Sequence, residues 1–123
     1  MQEESRIQMA VLRWTQQAAV RRAYPCLKLM YHVPNERKCT PQQGRMMKLL
    51  GVKSGVPDLC LPVPSGGYHS LYIEMKTPKG RVRAEQEWWA AELRAQGHKV
   101  CVCRSLDEAV RALTEYLGGA ENG

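Results

Sequence analysis

The run Leu71-Tyr72-Ile73-Glu74-Met75-Lys76 restricts the fold of this chain more than any other segment. It is rich in β-forming residues, with Gly66-Gly67 on one side and Thr77-Pro78-Lys79-Gly80 on the other, and it predicts a strand over Ser70–Lys76. Side chains alternate faces along a strand. Leu71, Ile73 and Met75 therefore point one way, and Tyr72, Glu74 and Lys76 the other. A core strand rarely carries a carboxylate and an ammonium on one face unless the two share a task. A second strand is predicted over Pro57–Leu61, joined to the first through the turn residues Pro64-Ser65-Gly66-Gly67. If Asp58 opens that strand, its carboxylate meets that of Glu74. Two hard oxygen ligands beside a lysine suit a divalent metal and the hydrolysis of a phosphodiester. Pro57 lacks an N–H, which suits the start of an edge strand. Gly55 just ahead permits a tight backbone or the close approach of a ligand.

Helical periodicity surrounds this pair of strands. Ile7, Ala10, Val11, Trp14 and Ala18 form one apolar stripe, predicting a helix from Glu3 to Ala23 that stops before Pro25. Leu27–Val33 reads as a strand, residues 34–43 as a polar loop, and Gln43–Leu50 as a short helix closed by Gly51. Arg83–Gln96 reads as a helix burying Trp89 and Leu93 and ending at Gly97, followed by a buried strand over His98–Cys103. Ser105 and Glu108 have capping-box spacing ahead of a helix presenting Leu106, Ala109, Val110, Leu113 and Leu117, which is expected to fray at Gly118-Gly119. The order is roughly αβαββαβα, without internal repeats. This predicts one α/β domain over residues 1–123 with a mixed sheet flanked by helices.

A formal charge of +6 favours a polyanionic partner, and its placement says more. Arg37, Lys38, Arg45, Lys48 and Lys53 precede Asp58, and Lys76, Lys79, Arg81 and Arg83 follow Glu74 with no acid among them. Lys53, Lys79, Arg81 and Arg83 are thus candidate phosphate contacts, where a nucleic-acid backbone would lie. The five cysteines lack a Cys-x-x-Cys pair and read as reduced thiols. No histidine has metal-ligand spacing. Trp88 and Trp89 are adjacent and cannot both face the core, so Trp89 is assigned to it. No signal peptide or membrane span is evident, and a cytoplasmic location is expected.

Gly55-Val56-Pro57-Asp58-Leu59, Ile73-Glu74-Met75-Lys76-Thr77-Pro78-Lys79-Gly80, Ala84-Glu85-Gln86 and Trp88-Trp89 together resemble the VRR-Nuc (virus-type replication-repair nuclease) domain family, a branch of the PD-(D/E)XK nuclease superfamily. The resemblance covers nearly the whole chain, with a looser N-terminal match through Glu4 and Ile7-Gln8. It implies a restriction-endonuclease-like fold of the stand-alone phage or bacterial type. Asp58 and Glu74 would ligate Mg²⁺ or Mn²⁺, with the carbonyl of Met75 as a third ligand and no small-molecule cofactor. Lys76 would orient and help deprotonate the attacking water, or neutralise charge on the phosphate. Gln86 matches a glutamine near the family's site. Glu4 matches a helix-borne acid that completes the site through metal or water, although Glu3 competes for that role.

The resemblance further implies a structure-selective endonuclease acting on branched DNA, of Holliday-junction or flap type, as a homodimer in a bacterial host cell. Three rival readings stand beside it. The chain could be a nuclease that cuts ordinary duplex by the same chemistry, a non-catalytic nucleic-acid-binding domain, or an enzyme acting on RNA.

Overall fold

Among the described residues of the computed structural model, which are 2–34 and 39–122, four strands form one mixed sheet. They are β1 (Tyr31–His32), β2 (Leu59–Leu61), β3 (Leu71–Met75) and β4 (Lys99–Cys103), side by side in that order. β1 with β2 and β2 with β3 run antiparallel, whereas β3 and β4 run parallel. The α-helices among the described residues are α1 (Glu3–Thr15), α2 (Ala18–Ala23), α3 (Pro41–Leu49), α4 (Ala84–Ala95) and α5 (Leu106–Asn122). This is the mixed α/β architecture that the pattern predicts.

Alternation along β3 sets the layers. Leu71, Ile73 and Met75 join Leu59, Leu61 and Cys103 on one face, where they pack with Val11 of α1 and with Ala109, Leu113 and Tyr116 of α5. Burying each of the large apolar side chains contributes about 1.5–3 kcal/mol, so β3 is anchored firmly from that side. The β2–β3 connection, residues 62–70, contains a two-residue turn in which Ser65 and Tyr68 exchange both backbone hydrogen bonds, at 3.1 and 2.9 Å. Gly66 and Gly67 have φ of 58° and 88°, the left-handed pair that a type I′ hairpin turn requires. The parallel β3–β4 pair is bridged by α4, as antiparallel hairpin chemistry cannot connect parallel neighbours.

Several sequence expectations need correction. The predicted helix over Glu3–Ala23 is two helices, because Gln17 is extended and Thr15 turns its hydroxyl back to the Leu12 carbonyl at 2.6 Å. Arg21 Nε then donates to the Thr15 carbonyl, at 3.1 Å, and stabilises the break. Over Leu27–Val33 only Tyr31–His32 is a strand, since Pro25 starts a 3₁₀ turn that runs to Leu29. Pro57 does not open an edge strand: β2 lies between β1 and β3. The proline precedes β2 and costs the ladder no bond, and the flank is paired, with Val33 N–H donating to the Asp58 carbonyl at 2.7 Å.

On α4, Trp89 and Leu93 are half-buried, and the buried residue is Gln86. Helix α5 does not fray at Gly118-Gly119 but continues to Asn122. Ser105 Oγ caps it by accepting from Glu108 N–H at 3.1 Å, while Glu108 Oε1 reaches back to Arg104 N–H at 2.9 Å. All five cysteines are free thiols; Cys60 and Cys103 are buried and Cys39 is exposed. Arg37 and Lys38, part of the predicted loop and basic stretch, lie outside the described residues. No helix among the described residues is long and apolar enough to cross a membrane.

Candidate active site

The β2–β3 register pairs Leu59 with Ile73, so the next residues outward, Asp58 and Glu74, face each other across the two strands. Asp58 is held by the end of β3, its Oδ2 accepting the Met75 N–H at 2.7 Å. Behind it, Gly55 adopts φ 95°. A Cβ there would sit 2.8 Å from the Glu85 carbonyl oxygen and 3.0 Å from the Trp89 ring. The close approach that this glycine permits is thus to the first turns of α4, and it fixes the Asp58 segment against the helix that carries Gln86.

Glu74 is only 4 % exposed. Its Oε2 accepts a hydrogen bond from Gln86 Nε2 at 3.1 Å and lies 4.0 Å from Lys76 Nζ. Its Oε1 is buried and, among the described residues, has no partner in hydrogen-bond geometry. Burial, and secondly the adjacent charge of Asp58, push the Glu74 carboxyl up to about 9, against the opposing pull of Lys76. A buried carboxylate oxygen without a donor is an expensive group, and a cation beside it would relieve that cost. The donor set, two carboxylates meeting at a strand end, fits a hard divalent cation. Among the described residues, no three His, Cys, Asp or Glu side chains converge closely enough to form a metal cage on their own. Any cation held here would take its remaining ligands from backbone oxygen and water.

The other predicted residues fall around this pair. Glu4, in the first turn of α1, is half-buried and its carboxyl is raised by burial and then by Asp58, while Lys76 and Arg83 lower it. Glu4 therefore shares the electrostatic environment of the site, whereas its competitor Glu3 is exposed. Gln86 has a double role. Its Oε1 accepts from Arg83 N–H at 2.9 Å, closing the start of α4, and its amide nitrogen fixes Glu74. Lys76 is buried, and its backbone N–H donates to the Cys103 carbonyl at 3.0 Å. Lys53, Lys79, Arg81 and Arg83 are exposed. Arg83 makes a solvent-exposed ion pair with Glu85 at 3.6 Å, of the kind worth little to stability.

Two contributors escape the sequence reading. Arg104 Nη1 donates to the carbonyls of Thr77 at 2.9 Å and Gly80 at 2.6 Å, clamping the turn that follows Lys76. Its only sequence signal is its position at the end of β4, parallel and adjacent to β3. His32 Nδ1 lies 3.1 Å from both the Asp58 carbonyl oxygen and Gln8 Nε2, linking α1 to the Asp58 segment.

The profile of the VRR-NUC domain matches residues 2–107, a span that includes Glu4, Asp58, Glu74, Lys76, Gln86 and Arg104. A solved structure described as a VRR_NUC domain protein is similar over 92 % of this chain and 86 % of its own, with 26 % identity and a TM-score of 0.73. Among curated proteins there is no match. The family profile spans the whole sheet and helices α1 to α4, and the chain belongs to the VRR-NUC domain family, a nuclease-type family.

Proposed function

We propose that this protein is a divalent-metal-dependent endodeoxyribonuclease, selective for branched DNA of the Holliday-junction or flap type and acting as a homodimer. The observation that carries the metal-dependent chemistry is the facing pair Asp58 and Glu74, with Glu74 Oε1 buried and, among the described residues, lacking a donor. Asp58, Glu74 and the Met75 carbonyl would hold Mg²⁺ or Mn²⁺, which when bound supplies positive charge to the scissile phosphate and acidifies water. Glu4, which senses the Asp58 charge, would complete the site through the metal or water.

The protein's own residues do the rest. Gln86 fixes one Glu74 oxygen and so leaves the other free to face a ligand. Lys76 orients the attacking water and either accepts its proton or neutralises charge on the phosphate. As the water oxygen bonds to phosphorus the ester P–O bond breaks, and the departing oxygen takes a proton from solvent. Arg104 holds the turn bearing Lys79 in place, and Lys79, Arg81, Arg83 and Lys53 contact flanking phosphates. Selectivity for branches rests on family resemblance. Homodimerisation does too, and one site per subunit would allow a symmetric pair of cuts.

The test is incubation with a labelled four-way junction and its matched linear duplex, in Mg²⁺, Mn²⁺ or EDTA, beside Glu74→Ala. Metal-dependent cutting of the junction alone, lost in the variant, is expected. Equal cutting of both substrates would discard branch selectivity and keep the nuclease. Cutting that survives in EDTA or in Glu74→Ala would discard the metal site.

A further inference from the structure

Helix α3 contributes no side chain to the buried core, yet it is amphipathic. Met46 is 55 % exposed, Leu49 82 % and Leu50 75 %. Positions i, i+3 and i+4 share one side of a helix, so these three make a continuous apolar stripe facing outward. The helix that presents them is closed at both ends by local bonds. At its start, Thr40 and Gln43 form a full capping box, with Pro41 in the first turn. At its end, Gly51, at φ 94°, donates to the Lys48 carbonyl and Val52 N–H to that of Met47, which is a Schellman closure. Such a helix holds its shape without packing against the core, and its exposed stripe marks an interaction surface.

Charge decides what fits that surface. Arg45, Lys48 and Lys53 are exposed on and beside the helix, and no Asp or Glu occurs between Cys39 and Pro57. Lys48, Lys53 and Ser54 line a recess of about 450 Å³ next to it. Stripe-to-stripe packing of a second copy would bring these cations together, which opposes association. A polyanion complements them. Position agrees. Leu50 and Asp58 are eight residues apart, a span of at most about 28 Å, shorter than one turn of duplex DNA at about 34 Å.

Continuous duplex offers phosphates to the lysines but keeps its base faces stacked. Leucine and methionine side chains gain from DNA when they wedge against an unstacked step, and a branch point presents such a step already opened. We propose that α3 is a wedge that reads unstacked bases at a DNA branch. Met46, Leu49 and Leu50 lie against the base faces, and Arg45, Lys48 and Lys53 grip the phosphates beside them. This rests on the nuclease reading above and names the element by which that site selects its substrate.

The test places 2-aminopurine, whose fluorescence rises on unstacking, at the branch of a four-way junction and within a matched linear duplex. Binding is measured in EDTA for the wild type, Leu49→Gln and Leu49→Gln/Leu50→Gln, with folding checked by melting. Wild-type protein is expected to raise the junction signal, and the double variant to lose that rise. The double variant should also bind the junction roughly tenfold more weakly, relative to duplex, than wild type does. Lys48→Ala should reduce the salt slope for both substrates by about one. Unchanged junction affinity and fluorescence in the leucine variants would overturn the wedge. A wild-type dimer that becomes monomeric in the double variant, by sedimentation, would overturn it too, assigning the stripe to a second copy. Wild-type protein that gives the fluorescence rise yet cuts no DNA with Mg²⁺ or Mn²⁺ would support the wedge and overturn the nuclease reading.

Discussion

Glu74→Gln should stabilise the metal-free protein at neutral pH. Burial and Asp58 raise the Glu74 carboxyl to about 9 from an ordinary 4.5. The folded state therefore holds a proton that the unfolded chain has released. Stability from this group is fully present below pH 4.5 and is lost progressively as pH rises to about 9, at about 1.4 kcal/mol per pH unit. At pH 7 the loss is about 3 kcal/mol, since two and a half of those roughly four and a half pH units have been crossed. Glutamine has the same shape and no charge to lose. Its oxygen can keep the Gln86 hydrogen bond, and its amide can donate to the Asp58 carboxylate.

In EDTA at pH 7 the variant should melt roughly 10 °C above wild type, at about 3–4 °C per kcal/mol for a domain of this size. The gap should nearly close below pH 4.5, where Glu74 is protonated in the folded state and mostly protonated in the unfolded one. Differential scanning calorimetry at pH 5, 7 and 9 measures this directly. A variant less stable than wild type at pH 7, or one with an unchanged pH slope, would refute the argument that Glu74 is a buried and strained carboxyl.

Gly55→Ala combines a disfavoured left-handed backbone with a Cβ 2.8 Å from the Glu85 carbonyl oxygen, and should cost about 2 kcal/mol or more in chemical denaturation. Arg104→Ala removes the clamp on the turn from Thr77 to Gly80; turnover should fall tenfold or more while KM changes little, and Arg104→Lys should restore little, since it lacks the planar fork. Asp58→Ala should abolish cleavage while DNA still binds in a mobility-shift assay, because the change removes a negative charge beside phosphate. Arg81→Ala should weaken binding to all sequences alike and lower the salt slope by about one, read from titrations at several salt concentrations.

The strand pair was legible because its information is local. A period of two fixes the face of every side chain on β3, whereas the register that brings Asp58 to Glu74 is not set by the glycine turn alone, since Ser65 pairs with Tyr68 one residue out of step with the Leu61–Leu71 pair. Gln86 entered the sequence reading through family resemblance, whereas its bond to Glu74 depends on how α4 docks. The break between α1 and α2 was not legible. Ala18 and Ala19 are strong helix formers, and the break is held by side-chain bonds of Thr15 and Arg21 to backbone carbonyls. Arg104 was invisible for a related reason: its partners lie on a neighbouring parallel strand's outgoing turn, far away in sequence. Pro57 misled because the strand predicted over Leu27–Val33 carried no sign of its place in the sheet, and the part that forms, Tyr31–His32, pairs along the outer flank of β2.

On the proposed mechanism, Asp58 and Glu74 jointly hold the cation that the chemistry needs. Calorimetric titration of the DNA-free protein with Mn²⁺ at pH 7, in buffers of different ionisation enthalpy, tests it most directly. Binding should release close to one proton per ion, because the ion displaces the proton that Glu74 carries below about 9. Asp58→Ala should abolish the heat, and Glu74→Gln should abolish the proton release. Equal binding in all three proteins, or binding to wild type without proton release, would contradict the account.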